Sequence, residues 1–222
     1  GIRGLQLEGT VREVAREDEA RVRALYQRRY PLIGGGAGVP RKILEARART
    51  ARAPAPKGKL TTEDELWAIL DRVARKGGGA LEASCDAFCA ELRKLDDRSL
   101  VRADRLFAKL MQRAYRWDLW GAAYVIHGGC SDDAFWDFRA GLVALGRARF
   151  EAALEDPDGL AKIRDVEERT LFEGFQYVPR KVLAEREIEA PASRHQTARP
   201  AGRAWKEDEL PGRYPRLWKR FG

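Results

Sequence analysis

"AYRWDLWGAAYVIHGGCSDDAFWDFRAGLVALGR", residues 114–147, decides how the chain is to be read. Trp117, Trp120, Tyr124, Val125 and Ile126 lie in an aromatic, apolar stretch that Gly128 and Gly129 close. Ser131, Asp132 and Asp133 come directly after it. A serine oxygen accepts an orphan N–H at a helix start, and carboxylates favour the positive end of the helix dipole. The stretch therefore predicts a corner between two helices. The second helix carries Phe135, Phe138, Leu142 and Leu145 on its inner face and runs to the breaker "EDPDG" at 155–159. The aromatic run before the corner is expected to be the most buried part of the fold.

The same texture extends in both directions. "TTEDELWAILDRVARKGGG", residues 61–79, opens with a capping box of Thr62 and Glu65. Leu66, Ile69, Leu70 and Val73 recur at helical spacing, and Gly77 is expected to end the helix. Leu81, Cys85, Phe88, Leu92 and Leu95 form the stripe of a second helix. Ser99 is expected to cap a third, with Val101, Leu106, Leu110 and Met111. Beyond 160 comes another helical stretch, with a break expected at Val178 because Pro179 is the next residue. Residues 190–213 read as irregular, and Trp218 and Phe221 are expected to dock the chain end. The fold class is mainly α, a compact multi-helix domain of five or six helices over 60–222. No internal repeat or heptad array is visible.

The leading residues differ. Leu5, Leu7 and Val11 alternate with polar residues as in a strand, and residues 16–31 read as a helix stopped by Pro31. Together, 1–32 form a short strand-helix fragment. Residues 33–59 read as a flexible basic linker rich in Gly, Pro and Arg. Residues 1–59 hold 14 Lys+Arg against 6 Asp+Glu, while 60–222 hold 28 of each. The net charge of +8 thus sits outside the helical domain. A basic arm at 33–59 can hold phosphate, but the neutral domain argues against nucleic acid as a partner.

No apolar run is long enough for a membrane span, and the first residues lack a signal peptide. The chain opens on Gly1 and its only methionine is Met111, so it is expected to begin part-way through a longer reading frame. Cys85, Cys89 and Cys130 are an odd number, which suits reduced thiols and a cytoplasmic location.

Chemistry is sought first at the corner. Trp117, Asp118, Trp120, His127, Cys130, Asp132, Asp133, Trp136 and Arg139 form a candidate binding cluster, polar groups beside indoles. Capping alone accounts for Gly128, Gly129, Ser131, Asp132 and Asp133. His127 and Cys130, with Cys85 and Cys89, would suit tetrahedral zinc on paper. A CxxxC pair on one helix is a weak pattern, and free cysteine packs as a small apolar residue. No metal and no cofactor is expected, and no catalytic residue is assigned. No Walker loop, GxGxxG or GxSxG motif occurs. Trp136 falls beside Phe135 and Phe138, at the flank of its helix, where an exposed indole marks a partner surface.

The chain carries two resemblances. "DELWAILD", residues 114–147, "EAALEDPDGLA" and "AWKEDELPGRYPRLWKRF" together resemble the bacterial domain of unknown function 4240, over about residues 61–222. That family pattern usually reads FRAWL where this chain has Phe138-Arg139-Ala140-Gly141-Leu142. The resemblance implies a domain but no activity. Residues 1–31 are similar to a late strand and helix of FMN-binding split barrels of the pyridoxamine-phosphate-oxidase type. One strand cannot close a barrel, so this implies a remnant. The function expected is a non-catalytic protein-interaction or regulatory module. The alternatives are a fragment of an FMN-dependent protein, or an enzyme of unknown reaction at the 127–139 corner.

Overall fold

Caps and breakers in the sequence set where each helix starts and stops. The computed structural model describes residues 57–78, 80–170, 173–189 and 199–222. The strand-helix fragment at 1–32, the likeness to a split barrel and the basic arm up to residue 56 lie outside the described residues. Helix α1 (Glu63–Lys76) starts at a complete capping box: Thr62 Oγ1 accepts from the Glu65 N–H and the Glu65 carboxylate accepts from the Thr62 N–H. Helix α2 (Leu81–Leu92) buries Leu81, Phe88 and Leu92. Helix α3 (Asp97–Arg113) is capped by Asp96, not by Ser99. The Asp96 carboxylate accepts the Ser99 N–H at 2.8 Å, and the Ser99 hydroxyl turns inward to accept the Leu60 N–H at 2.9 Å.

Helix α4 (Trp117–His127) and helix α5 (Asp132–Ala144) make the corner. The long helix expected from Ser131 to residue 155 is two helices, because Gly146 takes φ 91° and helix α6 (Arg147–Glu155) begins afresh. Asp71 of α1 accepts the Arg147 N–H at 2.8 Å and so caps α6 from another helix. After a 3₁₀ turn (Pro157–Lys162) come helix α7 (Val166–Arg169), a second 3₁₀ turn (Phe175–Tyr177) and helix α8 (Val178–Glu185). Val178 is helical, at φ −54° and ψ −48°, contrary to the break expected there. Pro179 stands in the first turn of α8, where a missing N–H breaks no helical bond.

Of the two residues expected to dock the chain end, Phe221 packs against the core and Trp218 stays exposed. Ala201 pairs with the start of α4, donating to Tyr115 O and accepting from the Trp117 N–H, both at 2.9 Å. The chain then forms a 3₁₀ turn (Glu207–Glu209), helix α9 (Leu210–Arg213) and helix α10 (Pro215–Phe221). Leu210, Tyr214 and Leu217 are buried, whereas Trp218 is exposed and Phe221 only half-buried. Asp158 holds this end. Its carboxylate accepts from the Arg216 and Leu217 N–H groups and from the Arg216 guanidinium.

Helix α5 is central, packed against α1, α3, α4 and α6. Phe135, Phe138, Ala140, Leu142 and Val143 are fully buried on it. The aromatic run before the corner is not the most buried part. Trp117, Trp120 and Tyr124 are half-buried on the side that Trp205 covers, while Trp67, Phe88, Phe150 and Phe175 are sealed. Among the described residues there is no strand, and no helix is long and apolar enough to cross a membrane.

Candidate functional site

The corner is built as capping requires. Gly128 closes α4 in the left-handed region at φ 64°, and the Gly128 and Gly129 N–H groups both turn back to Tyr124 O. Ser131 Oγ accepts the Ala134 N–H at 3.2 Å, and Asp132 and Asp133 lie exposed in the first turn of α5. Trp120 spans the turn from inside. Its Nε1–H donates to Cys130 O at 2.9 Å, and its ring stacks on Phe135 at 4.8 Å and on Trp117 at 5.2 Å.

Arg139 occupies the core of this arrangement, only 1% exposed. Its guanidinium lies over the rings of Trp136 at 4.3 Å, Tyr115 at 4.8 Å and Phe135 at 5.1 Å. Nε–H donates to Phe135 O in its own helix, and an Nη1–H donates to Met111 O at 3.0 Å. Met111 O belongs to the last turn of α3, where carbonyls have no helical partner. A cation there meets the negative end of the helix dipole. Burial lowers the Arg139 pKa to about 10, which leaves it charged at neutral pH. Trp136 stands outside this cation. One face of its ring rests on the guanidinium, and 37% of the residue is open to solvent.

The other candidate residues go elsewhere. Asp118 pairs with Arg116 at 2.5 Å and accepts the Leu119 N–H. His127 faces Thr170, at the end of α7. The Thr170 hydroxyl donates to Val166 O at 2.6 Å, so it accepts from His127 Nε2–H at 3.1 Å. His127 Nδ1 is then a buried acceptor without a hydrogen-bond partner among the described residues, and burial lowers the histidine pKa. The Cys130 thiol donates to Ser131 O, and burial raises its pKa to about 12. Burial raises the Cys85 thiol to about 12, and it also pushes the Cys89 thiol above its ordinary value. Among the described residues no group of three or more His, Cys, Asp and Glu could hold a metal ion.

Sequence reasoning missed Asp137. It lies one turn beyond Asp133, accepts from Gln176 Nε2–H at 2.6 Å, and has its pKa raised to about 6 by burial and then by the negative charge of Glu173. Its signal was available in the i, i+4 spacing from Asp133. The Tyr115 and Met111 contacts to Arg139 had no local signal, since they come from α3 and the turn after it.

A scan of family models matches residues 61–185 to "Protein of unknown function (DUF4240)". No curated protein and no solved structure matches the chain.

Proposed function

The chain belongs to this family of proteins of unknown function, and from that premise we propose a non-catalytic protein-interaction module whose contact face is centred on Trp136. One observation carries the reading. Trp136 is a large exposed ring whose inner face is fixed by a buried guanidinium. An indole held in one orientation before binding loses little conformational freedom on contact, and tryptophan is enriched among the residues that dominate interfaces. The neighbouring groups support binding over catalysis. Ser131 serves the helix, the Cys130 thiol is held protonated, and the His127 imidazole is tied to Thr170.

The test uses a photo-crosslinking amino acid in place of Asp133, inside living cells of the source. Crosslinked species are expected to disappear on Trp136→Ala and to persist on Trp218→Ala, which removes an equally exposed indole elsewhere. Crosslinks unaffected by Trp136→Ala, or none at all, would contradict the reading.

A further inference from the structure

We propose that the groove between α1 and the turn after α2 is a separate binding site, which takes an acidic peptide segment carrying an apolar side chain. The groove holds about 280 Å³ and is lined by Lys59, Leu60, Ala68, Ile69, Arg72 and Lys94, with Glu65, Glu91 and Leu95 completing it. Leu60, Ile69 and Leu95 form its apolar floor, and Ala68 is exposed at its edge.

The rim carries excess positive charge. Glu91, only 7% exposed, is gripped by Arg72 at 3.2 Å, Lys76 at 3.1 Å and Lys94 at 2.8 Å. One carboxylate therefore serves three cations, and each ammonium keeps further N–H donors free for a second acceptor. Lys59 adds another cation, which makes no close ion pair among the described residues but lies near enough to Asp96 to lower its pKa. The other acid of the groove, Glu65, is occupied by the Thr61 and Thr62 N–H groups. The rim thus carries more cations than carboxylates. Glu91 is already paired and so fixes the cations in place.

The apolar floor favours a peptide over a free anion. In the groove an acidic side chain meets Lys59 and Lys94, and an apolar neighbour covers Ala68 and Ile69. An inorganic anion would satisfy only the cations. This site does not depend on the Trp136 face.

The experiment is a fluorescence-anisotropy titration of the 222-residue chain with a labelled hexapeptide of alternating Glu and Leu, at about 0.05 M salt, where surface charges are weakly screened. Two further peptides replace every Glu by Lys or every Leu by Ser. Saturable binding is expected for the first peptide, with none for the Lys version and at least about fivefold weaker binding for the Ser version. Lys59→Glu is expected to weaken binding at least about tenfold with melting unchanged, and Asp132→Ala at the corner to leave it intact. Equal binding of the Ser peptide would reduce the groove to an anion site and overturn the proposal. So would indifference to Lys59→Glu, or no saturation up to about 1 mM.

Discussion

Arg139 keeps its charge in the core because, among the described residues, three rings and two carbonyls replace water it gives up. Arg139→Ala leaves a cavity and orphans Met111 O, and a loss of about 3 kcal/mol of unfolding free energy in urea is expected. Arg139→Met fills the space and relieves the buried charge, so it is expected to cost less than the alanine variant. A loss as great in Met as in Ala would assign the cost to the charge and not to the volume. Asp137 works against the fold. Its raised pKa means that the folded state holds a proton over the window from the unfolded value near 4 up to about 6. Stability is therefore lost as pH rises through that window, and Asp137→Asn is expected to stabilise by about 1 kcal/mol at pH 7, after discounting for solvent screening, and by nothing near pH 3.5. His127 has the opposite sense. Its pKa is lowered, so the unfolded chain takes the proton first as pH falls through about 6.5, and stability falls with it. Urea unfolding of His127→Gln between pH 7 and pH 5 is expected to show a shallower decline than the parent chain. At this scale the sequence located Trp136 at the flank of its helix. It grouped Arg139 with Asp118, Asp132 and Asp133, since nothing local tells an inward arginine from an outward one.

Helix ends were largely legible, because caps act over three or four residues. The Thr62–Glu65 box, the Gly128–Gly129 stop and the Ser131 start are where the sequence places them. Three departures each have a distant or competing cause. Asp71 caps α6 across the fold, Asp96 outcompetes Ser99, and Pro179 is admitted in a first turn. Gly141 is the sharpest case. A Cβ there would lie 2.6 Å from Thr170 Cα and 2.7 Å from Arg169 O, both main-chain atoms. The end of α7 fills the space that the glycine leaves. Gly141→Ala should gain about 1 kcal/mol from helix propensity alone. Because α7 must move, a net loss of about 2 kcal/mol is expected in thermal or urea unfolding. A stabilised Gly141→Ala variant would show that α5 and α7 are not in close contact. The capping reading of the corner is tested likewise: Ser131→Ala is expected to cost about 1 kcal/mol.

At the scale of the whole molecule, the bias of charge toward the leading segment was plain in composition, and so was the helical class of residues 60–222. The route of the chain end was not. It depends on Asp158, Tyr214 and Gly121, which are far apart in sequence. Asp158 clamps the start of α10, while the Tyr214 hydroxyl donates to Asp118 O and its ring lies where a Cβ on Gly121 would be. Leu60 is buried and Gly58 is paired, so any separable domain must include them. Residues 57–222 are therefore proposed to fold without the residues before them. The direct test is calorimetric melting of residues 57–222 alone beside the 222-residue chain. One cooperative transition within about 3 °C of the parent, with equal calorimetric and van't Hoff enthalpies, is the expected result. A broad, non-cooperative loss of structure in the shortened chain would contradict it.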